Sequence, residues 1–564
     1  MSLRRLTDSR LAWAAFTTMF VGYAAVGYWL QVRHGFIIGD ALARVAAAQS
    51  VLFSRSPHLA AIGFIFTPLT AMVQIPLVAL SALWPPMAER AFSGTLMSAA
   101  FMAGAVYQTL RMGMDRGLPR AFTLTIVALF ALNPMIIFYG SNGMSEAPFV
   151  FFVVWAARRL TMWMVDNDVH HLVVAGGIAM GLAYLTRYDA AAAIGAAGFL
   201  VAITTYVRAR GKPRLKRALL GMIIVSGPGL AAFIGWAVAS WMITGLAFAQ
   251  FGSRYGNTAI LEQEGGTGAS GFTDSLTFSL MSFTLLAPTL LVLIVGGVWL
   301  RWGRPNWSML AAPLTVFGAV LAFQVYSFSS GSTFPFLRFY IIAIPFAAAM
   351  ALMWVPDGPL RSPARRGRYP APPVTETATD PRRRWVYAAA ALLLAVCVPV
   401  AGFGMAQPKY APQEYGLGAV VNPDPDDVSP RKADERALAT QFSTERAIAE
   451  YLERKNLPDS SILTDPVYAF SVIAASQQPK AFIVPSDPDF VRLLSDPSAH
   501  GIEYMLAIPN EGRGTSDALN LRYPTLYETG ADVATLELEV PNNGKDQPTW
   551  RLYKVKEPTP PPEG

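Results

Sequence analysis

Residues 59–83 read LAAIGFIFTPLTAMVQIPLVALSAL, apolar enough to cross a bilayer yet interrupted by Pro68, Gln74 and Pro76. Whether this stretch crosses decides the side on which every later loop falls. Eleven other segments read as spans: 11–31, 91–110, 121–139, 148–165, 172–187, 190–207, 218–243, 277–300, 308–326, 339–355 and 385–403. Each approaches the roughly 20 apolar residues that a hydrocarbon core of about 30 Å requires. If 59–83 is a further span, the loop 111–120 and every basic loop after it face outward. If it is not, loops 111–120, 158–171, 208–217, 301–304 and 361–384 join the N-terminus inside. That inner set holds 23 Lys and Arg, against seven outside before the tail: Arg33, Arg44, Arg55, Arg90, Arg187, Arg254 and Arg338. Lys and Arg concentrate in cytoplasmic loops, so the second arrangement is expected. It gives eleven spans, a cytoplasmic N-terminus and a long outer loop 32–90, in which 59–83 is re-entrant or interfacial.

Composition agrees. The chain has 564 residues, 53% hydrophobic and 15% charged, where soluble proteins carry about 25% charged residues. The formal charge of +7 divides into +16 for residues 1–404 and −9 for 405–564. The positive part sits in short loops between apolar runs, a topology signal and not a nucleic-acid surface. Cys397 is the only cysteine, which excludes an internal disulfide and a cysteine-based metal or redox site. The run Leu11–Gln31 is longer than a signal-peptide core and reads as a retained first span. Residues 356–384, rich in Pro and Arg, read as a disordered cytoplasmic linker. The tail has helical periodicity at Glu445–Lys455 and short apolar runs at Ser461–Thr464 and Ala481–Val484 that read as strands. Its ending, PTPPPEG, reads as a frayed terminus. The expected fold is an α-helical polytopic membrane protein, residues 1–403, followed by an extracytoplasmic α/β domain, residues 404–564.

This topology yields a short set of outward polar residues. Asp40 lies in HGFIIGDALAR, four residues before Arg44, so on a helix the two share a face and could simply pair. Glu146 lies in GSNGMSEAP, a short outer turn, where an acid at a helix N-terminus is stabilising without any function. Arg187 and Asp189 close a span at LTRYD, and Arg338 opens one at FPFLRFY. Residues at span ends are commonly anchors that snorkel to the interface. Glu262 and Glu264, among glycines, read as loop residues. His34 and His58 flank the first outer loop and could bind a metal, whereas His170 and His171 read as solvated.

The segments GDALARVAAAQ, NPMIIFYGSNGMSEAPF, LAYLTRYDA and FLRFYIIAIPF resemble landmarks of the GT-C membrane glycosyltransferases. The likeness is greatest to the bacterial branch related to protein mannosyltransferases and to the aminoarabinose transferase of lipid A. It covers roughly residues 10–355. It implies a sugar donor carried on a polyprenyl phosphate, membrane lipids as surroundings, and an extracytoplasmic glycan, lipid or protein as acceptor. This chain has a lone Asp40 where the family frequently has an Asp-Asp or Asp-Glu pair. No cofactor is indicated, and a divalent-metal requirement is left open.

The chemistry suits the residues. Attack of an acceptor hydroxyl on the anomeric carbon needs a base, and a carboxylate near the bilayer surface can serve, the more so if desolvation raises its pKa. The leaving phosphate gains charge, which arginine stabilises bidentately. Asp40 is the expected base, and Glu146 orients the acceptor or shares that role. Arg187 and Arg338, with Arg44 and Arg254 behind them, are expected at the donor phosphate. Tyr188, Asp189, Tyr255 and His58 are substrate-binding candidates, and Tyr139 and Trp84 further aromatic faces. No P-loop, G-x-S-x-G elbow or HExxH motif occurs. The rival class is a transporter or flippase of a lipid-linked sugar, but transporters usually place ionisable residues at mid-membrane. Here they gather at one face. A scaffold that presents the tail is a third reading. The tail shows no catalytic constellation and reads as acceptor-binding or assembly.

Overall fold

The structure is a computed structural model and describes residues 3–209, 211, 213–263, 271–303, 307–355 and 381–557. Most of the expected linker 356–384, Glu264 and the terminal PTPPPEG lie outside the described residues. Each of the eleven predicted segments falls on a helix or a pair of helices. Among the described residues, six helices are long and apolar enough to cross a membrane. These are Thr7–Arg33, Glu146–Asp166, Ala190–Arg208, Arg214–Thr244, Trp307–Ser329 and Arg384–Met405. The pair Phe272–Leu286 and Leu290–Arg301 makes a seventh if it is one bent span. Two predicted spans are broken at prolines, which lack the N–H that would continue the helix. In 121–139 the break falls at Pro134, where the Asn133 side chain accepts the Met135 N–H at 3.0 Å and starts a new helix. In 277–300 it falls beside Pro288, and the two halves meet at 74°.

Segment 59–83 forms a short turn, Leu59–Ile62, the ten-residue helix Leu69–Val78 and a second turn, Ala79–Ala82. Its two ends lie at the same end of the molecule. His58 lines a cavity with Arg44, while Val78 packs among Ile37, Leu42 and Ala88. Leu83 is 84% exposed, so the segment turns large apolar side chains outward.

Burial differs sharply between helices and locates the centre of the bundle. Thr7–Arg33 is mostly uncovered, Glu146–Asp166 is mostly buried, and every residue of Ala343–Met353 is buried. The two central helices therefore carry Glu146 and, just before the second, Arg338. Close packing uses small residues, because apolar side chains gain little from leaving lipid. A Cβ on Gly176 would stand 2.3 Å from Val225 Cα, so glycine there lets two helices touch. At the opposite end of the bundle, Arg120 bonds Asp8 at 2.6 Å. There Arg116 and Arg301 donate to the carbonyls of Leu352, Met353 and Val355, capping the helix Ala343–Met353. The basic loops expected on one side thus meet one another.

The tail folds around a five-stranded sheet whose strands lie side by side in the order Phe482–Ile483, Ile462–Leu463, Tyr504–Ala507, Trp550–Val555 and Ala534–Val540. β1 (Ile462–Leu463) and β2 (Phe482–Ile483) fall inside the two predicted runs. β3 (Tyr504–Ala507), β4 (Ala534–Val540) and β5 (Trp550–Val555) were not legible as strands beforehand. β3 alternates between two cores: Tyr504 and Leu506 face one, Met505 and Ala507 the other. The predicted helix is Ser443–Arg454. Phe442 and Ala474 of the tail pack with Ile37, Leu42 and Val45, and Arg55 pairs with Asp489. The tail is thereby held against the helix Gly39–Phe53 that carries Asp40.

Candidate active site

Between the bundle and the tail lies a cavity of about 1210 Å³, larger than the roughly 300–1,000 Å³ usual for a single small ligand. Asp40, Arg44, His58, Glu146, Arg187, Tyr188, Arg254, Tyr255 and Arg338 all line it. Asp189 is not on the wall but supports it from behind. Four separate chain segments place the charged groups. Asp40 stands in the first turn of the helix Gly39–Phe53. Glu146 begins the helix Glu146–Asp166, a position favoured by the helix dipole. Arg187 follows the helix Val169–Tyr184, and Arg338 lies on the turn Leu337–Tyr340.

The turn before Glu146 is held from both sides. Gln31 donates to the Asn142 carbonyl at 3.0 Å, and Thr95 donates to the Ser141 carbonyl at 3.0 Å. Gly143 has φ +82° and its N–H donates to Ser98 Oγ. A Cβ on Gly143 would stand 3.1 Å from the Gly94 backbone. Gly143→Ala is therefore expected to cost about 1–2 kcal/mol from the left-handed conformation alone. It should also displace Glu146, so turnover falls together with thermal stability. Loss of neither in the purified variant would show that the turn does not need glycine.

The charges form one network. Arg338 donates to Asp40 Oδ2 at 3.0 Å, lies 3.7 Å from Glu146 Oε1, and also donates to Gln413 of the tail. Arg187 bridges Glu146 at 2.8 Å and Asp189 at 2.7 Å. The alternative reading, a pair of Asp40 and Arg44 through carboxylate and guanidinium, is not what forms. Arg44 donates to the backbone carbonyl of Asp40 at 2.7 Å and lies 4.1 Å over the Phe66 ring. Burial pushes the Asp40 carboxyl upward, but the guanidinium groups of Arg338, Arg44 and Arg513 outweigh it and hold the group below the usual carboxylate range. A pKa raised by desolvation, which would have favoured the base role further, is therefore not what the surroundings of Asp40 give. The Asp40 side chain is 38% exposed, toward the cavity, whereas Glu146 is 1% exposed.

Other assignments shift. Tyr255 donates to Asp465 Oδ2 of the tail at 2.8 Å, so its hydroxyl joins the two domains. Tyr188 accepts from Asn257 at 2.8 Å and keeps its place on the wall. Tyr139 is fully buried with its hydroxyl on Glu414, and Trp84 packs on Phe92, so neither offers a face to the cavity. His34 lies against Trp29. Among the described residues no cluster of three His, Cys, Asp or Glu side chains could hold a metal ion. Sequence reading missed Gln413, Glu414 and Arg513, because nothing local marks a tail residue as a neighbour of Arg338 or Asp40.

These features define a multi-pass membrane protein with a charged cavity roofed by its C-terminal domain. Its fold is similar to that of ArnT from Cupriavidus metallidurans. The structure of ArnT bound to undecaprenyl phosphate matches with a TM-score of 0.51 and 12% identity, covering 95% of this chain and 97% of that one. Its apo state matches with a TM-score of 0.51 and 15% identity, over 96% and 98%. An oligosaccharyltransferase of Archaeoglobus fulgidus, complexed with zinc and sulfate, matches with a TM-score of 0.40 and 11% identity, over 94% and 72%. No protein-family model matches the chain, and no curated protein matches it by sequence. The chain has the GT-C fold that its sequence landmarks led us to expect.

Proposed function

We propose that this chain is an inverting membrane glycosyltransferase that moves one sugar from a polyprenyl phosphate to an extracytoplasmic glycan, lipid or protein. The observation that carries the reading is the cavity itself. It joins a carboxylate open to solvent, Asp40, to guanidinium groups in a space large enough for two substrates. In the reaction the acceptor oxygen attacks the anomeric carbon and its proton passes to Asp40. The bond from that carbon to the phosphate oxygen breaks, and the phosphate keeps the electron pair. Glu146, engaged by Arg187 and close to Arg338, fixes both arginines as counter-ion. Charge on the leaving phosphate is met by arginine, so the reading invokes no cofactor. Turnover should persist in chelator, and its loss there would require a metal.

The test is transfer of a labelled sugar from a polyprenyl-phosphate donor by the purified protein. A flippase would instead move the lipid-linked sugar across vesicles and make no glycosidic bond.

The reading includes eleven spans with the tail outside. Cys397 is 1% exposed and adds little background to thiol labelling. An impermeant reagent applied to whole cells should modify Val428→Cys, at an 86% exposed tail position, and spare Arg214→Cys. Labelling of the second and not the first would invert the topology and place the cavity in the cytoplasm.

A further inference from the structure

Three cavity guanidiniums, those of Arg44, Arg254 and Arg513, form no ion pair among the described residues, while Arg187 and Arg338 are matched by Glu146, Asp189 and Asp40.

These three guanidiniums come from different elements of the chain. Arg44 is 7% exposed on the bundle wall, on the same helix as Asp40. Arg254 lies on the loop after Thr244 and Arg513 on the tail, and the two segments are docked on each other. The Ser516 hydroxyl donates to the Arg254 carbonyl at 2.8 Å, and Tyr255 reaches Asp465 at 2.8 Å. Each guanidinium rides on an aromatic ring, Arg513 at 5.3 Å over Tyr468 and Arg254 at 5.1 Å over Tyr255. Such stacking orients the planar donor fork and leaves its N–H edge free for an oxyanion. The nearby acids Asp465 and Asp517 do not fill that edge. The Asp465 oxygens accept Val467 N–H, Ala518 N–H and the Tyr255 hydroxyl, and Asp517 accepts Leu519 N–H and Asn520 N–H. Burial and the neighbouring Asp465 also push the Asp517 carboxyl up to about 8. Finally, Arg513 is near enough to Asp40 for its charge to act on that carboxyl.

We propose that Arg513 and Arg254 form an acceptor subsite supplied jointly by the tail and the outer loop, selecting an acceptor with a phosphate or carboxylate near the hydroxyl that receives the sugar. This rests on the glycosyltransferase reading and gives the tail its role there. It also places the acceptor between Asp40 and the roof, with the donor phosphate on the Arg44 side.

The test uses the full-length protein in nanodiscs and three probes: undecaprenyl phosphate, glycerol phosphate and glucuronic acid. Glycerol phosphate or glucuronic acid should bind protein already saturated with undecaprenyl phosphate. Arg513→Gln should weaken that second binding at least tenfold and leave undecaprenyl phosphate affinity within about twofold. Arg513→Lys, which keeps the charge, should fall between and guards against misfolding of the neutral variant. Arg44→Gln should show the reverse pattern. An equal loss of undecaprenyl phosphate in Arg513→Gln would assign the arginine to the donor and overturn the proposal. Absence of any second binding would overturn it too. Failure of the wild type to bind undecaprenyl phosphate would instead strike the glycosyltransferase reading.

Discussion

Asp40→Asn lowers sugar transfer by about 10²–10⁴-fold, the range for removal of a general base, while the protein stays folded and binds donor. Asparagine keeps the volume of the side chain, and its amide oxygen can still accept from Arg338, which now lies 3.0 Å from Asp40 Oδ2. What it cannot do is take the acceptor proton. The wild-type pH profile should identify the same group. The carboxyl titrates below its ordinary value, so it is ionised throughout the neutral and mildly acidic range. The acid limb of turnover should therefore fall below the range in which an ordinary aspartate titrates. The stability sign is consistent. Folding lowers this pKa, so the paired carboxylate contributes stability fully above the unfolded value and loses it as pH falls through the folded one. A low pKa makes a weak base, which suits a reaction whose barrier lies in leaving-group departure at the anomeric carbon more than in proton removal. Near-normal turnover by purified Asp40→Asn would transfer the role of base to Glu146.

Arg338→Lys should cost about 1.5–3 kcal/mol, the range for hydrogen bonds to charged groups, and so about 10–10²-fold in turnover. The guanidinium is 3% exposed and bonds Asp40 and Gln413 at once, with its plane near the rings of Phe336 at 4.6 Å and Phe339 at 5.3 Å. An ammonium cannot reproduce that fork. The link to Gln413 adds a second consequence: docking of the tail weakens, and the thermal transition falls with the rate. Arg187→Lys should behave similarly, because Arg187 spans Glu146 and Asp189. Arg33, exposed at the end of the first helix, is the control, since a snorkelling anchor tolerates lysine. Equal activity and stability in all three variants would return Arg187 and Arg338 to the role of anchors.

Sequence alone determined the membrane class, the eleven apolar segments and the opposite charges of bundle and tail. Membrane partition is a local property: each run of residues carries its own cost of entering hydrocarbon, and Lys and Arg bias the loops one at a time. For the same reason Asp40, Glu146, Arg187 and Arg338 could be picked out, each as a charge at the edge of an apolar run. The helix breaks at Pro134 and Pro288 were not read from the sequence, because whether a proline kinks or ends a span depends on its neighbours. Only the tertiary structure decided the pairings. Arg44 shares a helix with Asp40, yet the carboxylate turns to Arg338, 298 positions away, and Arg44 settles on a backbone carbonyl and a phenyl ring. Tyr139, one of the aromatic faces available to a sugar, is buried on Glu414. The tail's part in the cavity, through Gln413, Asp465 and Arg513, was invisible in the same way. Side-chain pairing is fixed by which surfaces meet when the bundle and the tail close together, and no periodicity within a segment encodes that.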